Sequence, residues 1–299
     1  MKRIYCPKGL HTGVFQGLDS NWCKHEFYVN GWLSREKPKP DNVIVMSDEM
    51  LNNPDDKFFD AILVQSVEDY KLVANFDKTI LYYDLMNGRN SGPAQIYNNT
   101  RVIPIFISTS CRMSHGIYDG PHKTIYPGID EDYWKGYTGE EEKIVHVRNE
   151  FENRDKPKYQ DFLTICGKNP FTLVGRGGNI ECGYEELREQ FRKHRVFVNV
   201  EIFTSTFSIS SMEAMMTGMP IVCNDIEGTG EAIRNGVEGY ISNNIGYLHN
   251  KTVELLNDKD MAMEMGKNAR EMAKIKFGKK QFNLGWNDFL DNLEYYRRA

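Results

Sequence analysis

The sequence predicts an α/β fold built on parallel sheets and divided into two domains. Short β-branched and aromatic runs recur between helical or looped stretches, the alternation that parallel strands and their crossovers require. A Gly-x-Pro step at Gly218 and Pro220 ends one helix and starts one strand, a junction suited to such units. The 299 residues, 40% hydrophobic and 26% charged, suit two domains of ordinary size, each long enough to bury its own core.

Residues 2–6, Lys-Arg-Ile-Tyr-Cys, read as the first strand. They feed a stretch punctuated by Gly9, Gly13 and Gly17, read as a Gly-spaced turn entering a helix, where backbone N–H groups are open to an anion or a sugar. Further β-like runs lie at 42–46, 61–65, 79–83 and 101–107. Residues 87–93, Asn-Gly-Arg-Asn-Ser-Gly-Pro, are a loop by composition. Ser108 is placed to cap a short helix. Residues 124–130 lead into the second domain, with the boundary near Pro127. Asp130 and Asp132 have D-x-D spacing, but the flanking Pro127-Gly128-Ile129 and Tyr133-Trp134 make this a linker turn.

The second domain opens with a strand at 144–147, followed by Arg148. Residues 171–178 read as a strand and a Gly turn, 184–195 as a surface helix of alternating Arg and Glu, and 196–200 as a strand. Glu213 then opens an Ala/Met-rich helix. Gly218 supplies its left-handed end, Pro220 prevents a restart, and Ile221-Val222 begin the next strand. Asn224 to Gly228 is a turn, and Asn235 to Gly239 is a turn into another strand. Helices over 261–276 and 282–296 close the chain, which has no internal repeat.

The order of residues from 205 to 239 resembles the donor half of glycosyltransferase family 4, whose pattern runs E-x7-E-A-M-A-x-G-x-P-V-V, then E-x-I, then D-G-x-x-G. Glu213 takes the second Glu of that pattern, Glu231, Gly236 and Gly239 take the later slots, and Ser205 stands where the first Glu is expected. The resemblance is strong over 144–286 and weak before 104. It implies the GT-B fold, two Rossmann-like domains facing across a cleft. Residues 1–127 would form the acceptor-side domain and 128–285 the nucleotide-sugar domain, with a C-terminal helix at 286–299 returning to the first.

The resemblance further implies a retaining transfer from a nucleoside-diphosphate sugar, with no cofactor beyond that co-substrate. A departing diphosphate must be stabilised, and without a metal this falls to cations, backbone N–H groups and a helix dipole. Arg148 matches the family's Arg after the first donor-domain strand, and Arg154 lies near its Lys, with Lys156 and Lys158 as neighbours. A surface ion pair from Arg148 to Glu150 or Glu152 is the plainer alternative. Thr204, Ser205, Thr206, Phe207, Ser208 and Ile209 lead into the Glu213 helix and could seat phosphate oxygens. In the family the Glu213 equivalent accepts hydrogen bonds from the ribose hydroxyls. The neutral Ser205 in place of a sugar-contacting carboxylate points to an altered sugar preference or to lost catalysis. Gly175 falls in the family's V-G-x-G turn, and Gly9 and His11 face the cleft by position. Tyr83 fills the His slot of a His-Asp pair, which makes Asp84 a candidate acceptor-side carboxylate or a plain strand-end cap.

Composition bounds the remaining choices. A net charge of −5 argues against a protein that coats nucleic acid, while leaving open a local basic groove drawn from Lys8, Lys24, Arg35, Lys37, Lys39, Arg89 and Arg101. No apolar run reaches membrane-span length and the N-terminus lacks a signal-like apolar stretch, so the chain reads as cytoplasmic. The six cysteines form no C-x-x-C pair and show no zinc-like spacing to a His, and the seven histidines are scattered, so no metal site is expected. Acceptor candidates are a 5-hydroxymethylpyrimidine in DNA, as for a phage-type enzyme, or a polysaccharide or glycoconjugate. A catalytically silent sugar-nucleotide-binding subunit is the alternative from another class, and oligomeric state is not set by the sequence.

Overall fold

The computed structural model of the chain describes residues 1–11, 13–32, 39–52, 57–85, 94–116, 120–201 and 206–297. It divides into two compact units, Met1–Gly128 with Phe277–Ala299, and Ile129–Lys276.

Unit 1 holds β1 (Arg3–Cys6), β2 (Glu26–Val29), β3 (Val43–Val45), α1 (Asp48–Asn52), β4 (Ala61–Val64), α2 (Val67–Val73), β5 (Ile80–Asp84), α3 (Ala94–Tyr97), β6 (Val102–Phe106), α4 (Thr109–Ser114) and β7 (Lys123–Thr124). Its strands are parallel, in the order β3-β2-β1-β4-β5-β6-β7. Strands β4, β5 and β6 are buried along their whole length, which accounts for their apolar sequences apart from Asp84 at the end of β5.

The helix expected after β1 does not form among the described residues. Residues 13–17 are turns, with the His11 carbonyl accepting from Val14 N at 2.9 Å and Phe15 N at 3.0 Å. Glycine is a poor helix former, and here its use is close approach. A Cβ on Gly17 would lie 2.8 Å from the Gly128 carbonyl carbon, and Gly17 N donates to Gly128 O at 2.9 Å.

Unit 2 holds β8 (Glu141–Val147), α5 (Phe151–Arg154), α6 (Lys156–Cys166), β9 (Phe171–Val174), α7 (Tyr184–Lys193), β10 (His194–Asn199), α8 (Ile209–Thr217), β11 (Ile221–Cys223), α9 (Thr229–Ala232), β12 (Gly239–Ile241), α10 (Ile245–Asn257) and α11 (Lys259–Phe277). Its parallel sheet runs β12-β11-β10-β8-β9, so strand order reverses between β8 and β10. Phe151, Phe162, Val196, Val198, Leu248 and Leu255 are among the residues that fill its core.

The chain ends in α12 (Lys279–Asp291) and α13 (Leu293–Tyr296), both in unit 1. The return begins at Phe277, so residues 277–285, grouped with the second domain from sequence, pack with the first unit instead. The cause lies in α12 itself. Phe282 meets Phe15 edge-on at 5.4 Å, and Trp286 packs on Phe15, Phe27 and Tyr83 at 5.5, 5.7 and 5.6 Å. One turn apart on the same helix, Asn283 donates to Gly17 O at 2.8 Å and Asn287 donates to Trp22 O at 2.6 Å.

Sealed imidazoles give the fold a pH dependence of known sign. Burial pushes His25 and His194 down to about 4 and His146 down to about 3. An unfolded imidazole titrates near ~6.5. Between that value and the folded pKa the unfolded chain binds more protons, so stability present above pH ~6.5 is lost progressively as pH falls toward ~4. Thermal melts should therefore fall from about pH 7 to about pH 4.5, and His146→Leu should flatten the decline. Melting temperatures independent of pH over that range would contradict the assignment of these imidazoles as buried and neutral.

Candidate functional site

In an open parallel sheet, ligands bind beyond the carboxyl ends of the strands where strand order reverses. In unit 2 that point lies between β8 and β10, and Arg148 and Glu201 stand just past the two strand ends. Arg148 Nη1 donates to Glu201 Oε2 at 3.1 Å and to Val200 O at 3.3 Å, and Nη2 donates to Asp155 Oδ2 at 3.1 Å. The guanidinium also lies 4.7 Å from the centre of the Phe151 ring. Its partners are thus Asp155 and Glu201, and neither Glu150 nor Glu152 is among them; Glu150 pairs with Arg176 at 3.0 Å. Glu201 is itself fixed by Asn224, which accepts from Glu201 N at 2.9 Å and donates to Glu201 O at 2.8 Å. Arg154, the last residue of α5, carries an exposed side chain.

The described part of the loop into α8 ends in a helix cap. Ser208 caps the helix, its hydroxyl accepting from Ser211 N at 3.2 Å, so α8 begins at Ile209, four residues before Glu213. Glu213 is therefore an interior helix residue and not its opening one, and it is 3% exposed between Met212 and Ala214. Thr206 is half-buried, Phe207 is buried, and Ser205 and Thr204 lie outside the described residues. Gly218 ends α8 at φ 102°, as its sequence position requires. Gly236 turns at φ 83°, and the carboxylate of Glu238 braces that turn by accepting from Arg234 N at 2.7 Å and Arg234 Nε at 2.9 Å. Glu231 lies half-buried on α9.

Gly175 serves packing. A Cβ there would lie 2.8 Å from Arg148 O, and its N–H is taken up by Ile180 O at 2.8 Å, so it offers no amide to a ligand. It acts on the site by letting the β9 loop close over the Arg148 backbone.

In unit 1, Gly9 turns at φ 91° after β1, and His11 N donates to Gln65 Oε1 at 2.9 Å, joining the loops that follow β1 and β4 where that sheet reverses. The His11 side chain is exposed. Tyr83 is not an acceptor-side residue: it is fully buried against Phe15 and Trp286, and its hydroxyl donates to Ile125 O at 2.6 Å. Asp84 is 2% exposed and holds His115 Nε2 at 3.0 Å and the Tyr97 hydroxyl. Cys111 completes the cluster, and one ligand atom each from Asp84, Cys111 and His115 lies within 4.8 Å of the others. Cys111 and His115 are four residues apart, one helical turn, a spacing that the reading of isolated cysteines and scattered histidines passes over.

The basic residues proposed for a nucleic-acid groove are largely engaged. Lys8 pairs with Asp69 at 3.5 Å, Lys24 with Asp291 at 2.6 Å, and Lys39 donates to the Pro40 and Val43 carbonyls. Arg101 donates to Ala74 O at 2.7 Å and to Phe76 O, so it caps the end of α2. Arg35, Lys37 and Arg89 lie outside the described residues.

Residues 179–272 match the protein family described as Glycosyl transferases group 1. Over 138 residues the chain is 25% identical to an uncharacterized glycosyltransferase of Methanocaldococcus jannaschii, a match covering 46% of this chain and 37% of that protein. Over 71 residues it is 37% identical to the trehalose synthase of Thermococcus litoralis, covering 24% of this chain and 17% of that protein. The chain thus spans well under half the length of the curated relatives it matches. Among solved structures, the sucrose-phosphate synthase of Thermosynechococcus elongatus is similar with a TM-score of 0.72 at 14% identity, over 99% of this chain and 100% of that one. Anabaena HepE in complex with UDP-glucose gives a TM-score of 0.68 at 13% identity, over 98% of this chain and 100% of that one. The fold is the GT-B architecture, with a parallel sheet in each unit, and the stretch that matches the group 1 glycosyl transferase model lies within unit 2. No helix among the described residues is long and apolar enough to cross a membrane.

Proposed function

We infer that the chain is a glycosyltransferase of the family 4 kind, moving a sugar with retention from a nucleoside-diphosphate sugar to an acceptor hydroxyl. The observation that carries this reading is the group 1 match over 179–272, which spans the α8–β11–α9–β12 segment holding Glu213, Gly218, Glu231 and Gly236. In the proposed step the bond from sugar C1 to the leaving phosphate oxygen breaks, and the bond to the acceptor oxygen forms on the same face. The acceptor proton passes to the departing phosphate. The N-terminus of α8 seats phosphate oxygens, and Arg148, with Arg154, offsets their charge. Donor binding then asks Arg148 to exchange Asp155 or Glu201 for a phosphate oxygen. Glu213 accepts from the ribose hydroxyls, its burial making that bond hard to replace with water.

A uridine nucleotide sugar is the first donor to test, because HepE was solved with UDP-glucose. The pairing of Lys8, Lys24, Lys39 and Arg101 within the fold favours a saccharide acceptor over modified DNA. A panel of nucleotide sugars should contain at least one that raises the melting temperature, and Glu213→Gln should remove most of that shift, a loss of about 1.5–3 kcal/mol for a bond to a charged group. An equal shift in the variant would overturn the ribose role. Turnover should also persist in EDTA, because protein cations and the α8 dipole stabilise the leaving group. Loss on chelation that is restored by Mg²⁺ or Mn²⁺ would transfer that role to a hard cation.

A further inference from the structure

In unit 1, β5 ends at Asp84, and α4, whose start is fixed by the Ser108 cap, carries Cys111 in its first turn and is followed by its C-cap, His115. The one-turn spacing puts Cys111 and His115 on the same side of α4. Cys111 is wholly buried, Asp84 is 2% exposed, and the His115 side chain is 6% exposed. Aromatic rings wall the imidazole, Tyr97 at 5.3 Å and Phe106 at 5.5 Å between ring centres. We propose that Asp84, Cys111 and His115 form a binding site for a single Zn²⁺ ion, which ties the end of β5 to α4.

The donor set supplies three of the four ligands that a tetrahedral Zn²⁺ takes, leaving the fourth position to a water. Carboxylate oxygen, thiolate sulfur and imidazole nitrogen are all zinc ligands, at bond lengths of about 2.0–2.3 Å. Tetrahedral geometry at those lengths separates the donor atoms by roughly 3.3–3.8 Å. The three atoms already lie within 4.8 Å of one another, so small side-chain rotations close the site without backbone movement. The carboxylate and the thiolate offset the two charges of the ion, which leaves the buried site neutral where an uncompensated charge would be costly. The Tyr97 hydroxyl, donating to Asp84, is the outer partner that orients the carboxylate. Held between β5 and α4, the ion is a cross-link within unit 1, independent of the sugar-transfer step.

The test is a titration of the chelator-stripped protein with Co²⁺, which adopts zinc sites and reports a thiolate ligand by its charge-transfer absorption. The band should saturate at about one Co²⁺ per chain, disappear on adding Zn²⁺, and be indifferent to Mg²⁺. Zn²⁺ should also raise the melting temperature of the stripped protein. Cys111→Ser should lose the band, whereas Cys182→Ala, which changes a thiol in unit 2, should keep it. His115→Gln should weaken Co²⁺ binding by at least about tenfold. Absence of a thiolate band in the stripped wild-type protein at excess Co²⁺ overturns the proposal, and so does a band that persists in Cys111→Ser. The wild-type titration decides the matter even if the variants fail to fold.

Discussion

Arg148→Ala should both destabilise the protein and suppress turnover, and the two effects should separate on further mutation. Removing the guanidinium leaves the side chains of Asp155 and Glu201, 11% and 15% exposed, without their shared counter-charge. Breaking a buried ion pair by deleting one partner costs about 3–5 kcal/mol, and the partial exposure here places the loss toward the lower end. Loss of a cation proposed to stabilise the departing diphosphate should lower turnover by about 10²–10³-fold. In the double variant Arg148→Ala with Glu201→Gln, stability measured by urea denaturation should recover in part while turnover stays low. Recovery of both would reduce Arg148 to a structural residue, and an unchanged stability in the single variant would mean the carboxylates are solvated.

Trp286→Ala should cost about 3–5 kcal/mol, the range for truncating a large buried aromatic. The indole is wholly buried and meets Phe15, Phe27, Tyr83, Phe282 and Phe289. It is the point at which α12 becomes part of the unit 1 core, so its loss should also expose the 17–24 segment that Asn283 and Asn287 hold. Hydrogen exchange should rise over those residues before it rises in unit 2. A loss of stability below about 1 kcal/mol would show that the helix docks through its asparagines and not through Trp286.

These two residues mark what the sequence does and does not make legible. The end of α8 and the start of β11 are readable because their signals are local: Gly218 turns left-handed and Pro220 blocks the helix, whereas the start of α8 at Ile209, behind the Ser208 cap, lies four residues before the Glu213 that reads as its opening. The partners of Arg148 are not local. Asp155 is seven residues away and Glu201 is 53, and only a parallel sheet with β10 beside β8 brings the second to the first. Glu201 lies two residues past the end of β10, at the reversal of the sheet. Tyr83 shows a different limit. Strand β5 is buried on both faces, so no alternation tells which side chains face the core, and the motif slot alone misplaced it. The same holds for Asp84, whose partners His115 and Tyr97 come from other elements. Strand β2, only four residues long and preceded by Lys24 and His25, carries too little pattern to be singled out.

Sugar transfer from a nucleoside-diphosphate donor, the proposed function, is tested by following its two products. Purified protein would be incubated with sugar-labelled nucleotide donors and a set of oligosaccharide, lipid-linked and 5-hydroxymethylpyrimidine DNA acceptors, with nucleoside diphosphate and labelled acceptor quantified together. One donor should release its nucleoside diphosphate in step with label appearing on a saccharide, and Arg148→Ala should lose both. A donor that binds and shifts the melting temperature but is neither transferred nor hydrolysed, with any acceptor, would contradict the proposed function and leave a sugar-nucleotide-binding subunit.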